Sequence, residues 1–98
     1  MSAISPISRS EFMSLATERT PVADVLFEER AWFSDERKNV ISALVWDLTD
    51  KDWSYVILKR DEQGKFRPVE FNVSYSERGE AQTQMLKEMR LILDRSKN

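Results

Sequence analysis

The feature that most constrains the fold is a run of short apolar segments between Phe27 and Tyr75, separated by brief polar turns. Aromatic and β-branched residues dominate these segments, and such residues are enriched in β-strands. A parallel crossover needs a dozen or more residues, so strands joined by shorter turns must be antiparallel neighbours. The sequence therefore predicts a four-stranded antiparallel meander over residues 27–33, 40–46, 53–60 and 66–75.

The turn before the fourth predicted strand has the clearest local chemistry. Asp61 suits the first position of a type I turn, and Gly64 suits the position that needs positive φ. This hairpin loop places Asp61 opposite Lys65, and the register then continues along both strands. The resulting cross-strand pairs share one face: Ile57 with Val69, Tyr55 with Phe71, and Trp53 with Val73.

Helical segments are predicted on both sides of the meander. Ser8 and Glu11 match a capping box, which predicts a short helix to about Glu18 after a loose lead-in of residues 1–7. Thr20 and Pro21 predict one further helical turn, so the whole short helical segment covers residues 8–25. Apolar side chains recur at helical spacing over residues 77–95, which predicts a C-terminal helix packed across the aromatic sheet face. Residues 1–98 are expected to form one α+β domain.

Composition argues against several classes of chemistry. The chain has no histidine and no cysteine, so it lacks the residues for a disulfide, a thiolate nucleophile or a zinc–cysteine site. Fifteen basic and 17 acidic residues give a net charge of −2, which argues against a protein that mainly neutralises phosphates. We therefore expect a non-enzymatic protein without a cofactor or a metal site.

Two local patterns bear on the metal site and on the location of the protein. Asp47, Asp50 and Asp52 cluster in one turn, but Lys51 lies among them and the spacing is not that of a calcium-binding loop. The N-terminal residues do not resemble a signal peptide, and no apolar run reaches the length of a membrane span. A cytoplasmic location is the resulting prediction.

Tryptophans provide the most specific functional hypothesis. Trp46 and Trp53 flank one turn and are expected at the same end of the sheet, and tryptophan is enriched both in cores and at interfaces. The central predicted strands are apolar on both faces of the sheet. One long helix is available to cover one face, and the short N-terminal helix has only Phe12, Leu15 and Ala16 to cover the other. Apolar surface is therefore expected to remain for a protein partner or a second copy. The predicted partner-binding residues are Ile41, Val45, Trp46, Trp53, Tyr55 and Val56.

Two other functions remain open from the sequence. Basic residues interleaved with an aromatic residue can bind single-stranded nucleic acid through backbone charge and base stacking. Phe66 lies among four such residues near the third turn, which are Lys59, Arg60, Lys65 and Arg67. Asp61 and Glu62 oppose this charge, so a nucleic-acid-associated regulator is the second hypothesis. The third is an enzyme or small-ligand sensor with a pocket between the sheet and the helix.

Three segments carry a family resemblance: ERAWF at residues 29–33, DWSYVILKRD at residues 52–61 and GKFR at residues 64–67. Together they resemble a family of small uncharacterised bacterial proteins, some of them carried by mobile elements. The resemblance implies a bacterial or phage origin, and it transfers no activity and no residue role. A regulator or inhibitor encoded by a phage or mobile element would be a special case of the interaction module.

Overall fold

The computed structural model describes residues 3–16, 27–70 and 73–95. Its elements are β1 (Ile4–Ile7), α1 (Arg9–Leu15), β2 (Phe27–Asp35), β3 (Val40–Asp47), β4 (Asp52–Arg60), β5 (Phe66–Glu70) and α2 (Arg78–Arg95). Within these residues the strands form one antiparallel sheet in the order β1-β2-β3-β4-β5. The predicted α+β class and C-terminal helix are confirmed, but the described sheet has five strands rather than four.

The additional strand is β1, in the segment predicted to be a loose lead-in. Ile4 lies opposite Asp35 and Ile7 lies opposite Trp32, so β1 extends the sheet beyond β2. Pro6 has no backbone N–H to donate, and prolines within sheets are confined largely to edge strands. Pro68 has the corresponding position in β5 at the other edge of the described sheet. The two prolines disfavour extension of either edge by another strand.

One face of the sheet is covered by α2, as the sequence predicts. The helix buries Ala81, Met85 and Met89 on consecutive turns against β3 and β4. The Ser42 hydroxyl donates a hydrogen bond to Met89 Sδ at 3.0 Å inside this interface. The buried cluster comprises Phe33, Val40, Leu44, Tyr55, Ile57, Ala81, Met85, Met89, Ile92 and Leu93.

The opposite face is covered by the short helix α1. Ser8 is its N-cap, and the Ser8 hydroxyl accepts a hydrogen bond from the Glu11 N–H at 3.1 Å, as the capping pattern predicts. Phe12 projects from α1 into a second buried cluster, which comprises Phe12, Ala16, Ile41, Ala43, Val45, Val56, Leu58 and Phe66. The helix ends at Leu15, and residues 17–25 of the predicted helical segment lie outside the described residues.

A β-bulge changes the predicted register of β5. Leu58 pairs with Pro68 as the predicted register requires, but the next residue of β4, Ile57, lies opposite Glu70. Val69 is therefore displaced from the predicted pair with Ile57, and its side chain is 47% exposed. A β-bulge places an extra, unpaired residue in one strand, so the pairing of the two strands shifts by one residue beyond it.

The register shift relative to the prediction grows from one residue at Ile57 to two residues at Trp53. Trp53 forms an isolated bridge with Tyr75, and the two residues exchange backbone hydrogen bonds of 2.7 and 2.8 Å. The predicted pairing of Trp53 with Val73 is therefore wrong. Phe71, the predicted partner of Tyr55, lies outside the described residues.

The bulge predicts a sharp difference between two aspartate substitutions. We expect Val69→Asp to change the free energy of unfolding by no more than about 0.5 kcal/mol, because the side chain already contacts solvent. Ile57→Asp should prevent stable folding, because Ile57 is fully buried and a carboxylate there has no partner. Urea unfolding followed by tryptophan fluorescence would measure both variants. Equal losses of unfolding free energy in the two variants would contradict the bulge.

Candidate functional site

Two tryptophans meet at one end of the sheet face that carries α2. Trp46 near the end of β3 pairs with Trp53 near the start of β4, so the connecting turn brings them together as the sequence predicts. Their ring centroids are 4.9 Å apart with an interplanar angle of 57°. Both side chains are partly exposed, although Trp53 also packs against the α2 cluster. The pair is therefore anchored in the core and accessible from outside.

Charged residues border the tryptophan pair. The Arg78 Cζ atom at the start of α2 lies 5.5 Å from the Trp53 ring centroid, within the range of a cation–π interaction. Glu28 lies opposite Trp46 across β2 and β3, and its carboxylate accepts a hydrogen bond from Arg30 Nη2 at 2.6 Å. Leu48 in the adjoining turn is 45% exposed. We name the set Glu28, Arg30, Trp46, Leu48, Trp53 and Arg78 the tryptophan end.

The turn between β3 and β4 is fixed by hydrogen bonds to Asp47. Its Oδ1 atom accepts from the backbone N–H groups of Thr49 at 2.9 Å and Asp50 at 3.1 Å. The Asp47 carbonyl also accepts from the N–H of Lys51, which adopts a φ of 55°. No metal-binding group of three or more acidic side chains occurs in residues 3–16, 27–70 and 73–95. These hydrogen bonds order the β3–β4 turn, which connects Trp46 to Trp53.

The remaining predicted partner-binding residues lie in the core. Ile41, Val45 and Val56 are fully buried in the cluster beneath α1, and Tyr55 is almost fully buried beneath α2. The expectation that apolar surface remains open at these positions is wrong. The short helix covers more of the second face than its length suggests, because Phe12 inserts a large ring into the cluster.

The β4–β5 hairpin has the turn chemistry that the sequence predicts. The Asp61 carboxylate accepts hydrogen bonds from the N–H groups of Gln63 and Lys65 and from Arg67 Nε, each at 2.9 Å. The Lys65 N–H and then the Arg67 side chain contribute most to lowering the pKa of Asp61 below its ordinary value. Gly64 has a φ of 82°, which only glycine adopts readily.

The hairpin does not present its basic residues and its aromatic ring as one stacking surface. Phe66 is only 7% exposed, and Arg60 Cζ lies 5.1 Å from its ring centroid on the α1 face. Lys59 and Arg67 are paired on the opposite face, because successive side chains alternate along a strand. Phe66 therefore offers no exposed aromatic ring on which the bases of a single-stranded nucleic acid could stack.

Sequence reasoning missed Asp35, a buried carboxylate at the end of β2. Its Oδ1 atom accepts from the N–H groups of Asn39 and Val40, each at 2.8 Å, and its Oδ2 atom accepts from the Arg37 N–H at 3.2 Å. The available signal was an acidic residue followed by a short polar turn, as at Asp61. This carboxylate is structural, since its oxygens bind the backbone of the β2–β3 turn.

Comparisons with protein-family models, curated proteins and solved structures find no match. No helix in the described part of the chain is long and apolar enough to cross a membrane.

Proposed function

We propose that this chain is a small non-enzymatic protein-interaction module that contacts its partner through the tryptophan end. The observation that carries the proposal is the pair of partly exposed tryptophans, Trp46 and Trp53, in ring contact at 4.9 Å. Tryptophan and arginine are the residue types most enriched where interface binding energy concentrates. Arg78 and Arg30 lie in the same set, so anchors and a polar rim occur together.

Rigid presentation supports this assignment. Both tryptophans lie within paired strands, and hydrogen bonds to Asp47 fix the turn between them. A surface that is already ordered loses little conformational entropy when a partner binds. The Glu28–Arg30 ion pair adds charges of both signs, which favours a partner with mixed charge around an apolar centre.

The other surfaces support the same choice. Pro6 and Pro68 disfavour main-chain pairing at the sheet edges, which is the simplest alternative route to association. Leu44, Met85 and Met89 are fully buried between the sheet and α2, so these side chains offer no surface to a ligand in solvent. These observations favour the tryptophan end over the ligand pocket that the sequence left open.

Site-specific crosslinking in the native host tests the proposal. A photoreactive amino acid at Leu48 should trap a protein of discrete mass, and Trp46→Glu should abolish that product. The matched control places the same amino acid at Met13, which is 46% exposed on α1 across the sheet. A crosslink that also forms in purified protein would identify a second copy as the partner. Identical products from both positions, or a product insensitive to Trp46→Glu, would refute the proposed surface.

A further inference from the structure

A second surface lies at the far end of β4 from the tryptophan end. There an open groove of about 950 Å³ runs between the β4–β5 hairpin and the last turn of α2. Its lining includes Lys59 from β4, Arg67 and Val69 from β5, and Arg95 from α2. The fold thus joins two segments that are distant in sequence.

The groove has the opposite charge to the chain as a whole. Four basic residues and two acidic residues line it, but the Arg60 guanidinium lies over Phe66 on the α1 face. The other five charged residues give the groove a net charge of +1, whereas the whole chain carries −2. A concave surface lined by one excess sign raises the local concentration of ions of the other sign. The lining therefore favours an anionic occupant. The six charged residues of the lining are Lys59, Arg60, Arg67, Arg95, Asp61 and Glu62.

Two of the cations are available to such an occupant. Arg67 is held by the Asp61 carboxylate at 2.9 Å, which partly neutralises both groups. In contrast, the Lys59 ammonium and the Arg95 guanidinium make no hydrogen bond or ion pair with the described residues. Lysine and arginine heads that are free on the surface can bind carboxylates without first losing an internal partner.

Apolar surface adjoins these charges. The bulge in β5 leaves Val69 47% exposed, and the exposed Pro68 precedes it. The aromatic ring of Phe66 is instead buried on the other side of the sheet, beneath Arg60. An aliphatic contact without an exposed ring suits a peptide side chain and provides no platform for stacked bases.

We propose that the groove binds an extended acidic peptide segment of a protein partner. Aspartate or glutamate side chains would pair with Lys59 and Arg95, and a neighbouring apolar side chain would pack on Pro68 and Val69. The proposal rests on the groove alone and is independent of the tryptophan end. Its test can therefore fail or succeed whatever the crosslinking at Leu48 gives.

Selection from a random peptide-display library with the full chain as bait tests the proposal. Selected peptides should be enriched in aspartate and glutamate beside an apolar residue. Binding of the strongest synthetic peptide should weaken about tenfold or more when Lys59→Glu and Arg95→Glu are combined. It should also weaken when salt rises from about 50 to about 500 mM, because exposed charges are screened.

The matched control combines Arg37→Glu with Lys87→Glu, which changes the net charge equally at exposed positions outside the groove. This control should bind the peptide as the parent chain does. Each variant should keep the parent's urea midpoint. Absence of acidic enrichment, or equal weakening by the two double variants, would overturn the proposal. Tighter binding of an oligothymidine probe than of the selected peptide would also overturn it, in favour of nucleic acid.

Discussion

Replacing Phe12 by alanine should lower the free energy of unfolding by about 3–5 kcal/mol. Phe12 is fully buried and is the largest side chain that α1 contributes to the cluster on its sheet face. A helix of seven residues is too short to be stable alone, so α1 depends on this contact. Domains of this size have only about 5–15 kcal/mol of stability, so the variant should unfold at a much lower urea concentration.

Met13→Ala is the matched control within the same helix. Met13 is 46% exposed, and its truncation should change the free energy of unfolding by about 0.5 kcal/mol or less. Both variants replace a large apolar side chain by alanine, so their difference reports burial rather than helix propensity. Similar midpoints for the two variants would show that α1 is not anchored through Phe12.

Elements defined by neighbouring residues could be predicted from the sequence. The hydroxyl of Ser8 and the N–H of Glu11 are three residues apart, and the Asp61 and Gly64 turn is also complete within a few residues. The spacing of Ala81, Met85 and Met89 similarly identified the face of α2 that is buried. In each case the deciding interaction is local.

Features that depend on long-range pairing could not be predicted in this way. β1 is short and is stabilised by pairing with β2, which is distant in sequence. The bulge at Val69 arises where β4 and β5 meet, and alternation alone paired that residue with Ile57, which lies opposite Glu70 instead. The burial of Ile41, Val45 and Val56 likewise depends on where α1 docks.

The two candidate sites also differ in whether they depend on local or long-range contacts. Contact between Trp46 and Trp53 follows from one short turn, and the sequence predicted that they share an end of the sheet. The groove also needs Arg95, which α2 brings to the hairpin across the fold. The alternative of stacking nucleic-acid bases on Phe66 loses support because the fold buries that ring, which strand propensity does not indicate.

Replacing Asp35 by alanine should cost about 3 kcal/mol of unfolding free energy, although Asp35 lies outside both proposed sites. Its carboxylate is 1% exposed and accepts three backbone hydrogen bonds, including one from the buried Val40 N–H. Ile4 of β1 lies opposite it, where the sheet continues past β2. Hydrogen bonds to charged groups contribute about 1.5–3 kcal/mol each and are not additive, and donors left buried without partners are costly.

Asp35→Asn separates the contributions of the two carboxylate oxygens. Asparagine can keep an oxygen at the Oδ1 position for Asn39 and Val40, but its amide would then face the Arg37 N–H, donor against donor. We therefore expect a loss smaller than that of Asp35→Ala, measured by urea unfolding at neutral pH. Asp61→Ala, in a similar but exposed turn, should cost less than Asp35→Ala because water can replace the lost acceptor. If the two alanine variants lost equal stability, burial would not be what makes the Asp35 hydrogen bonds important.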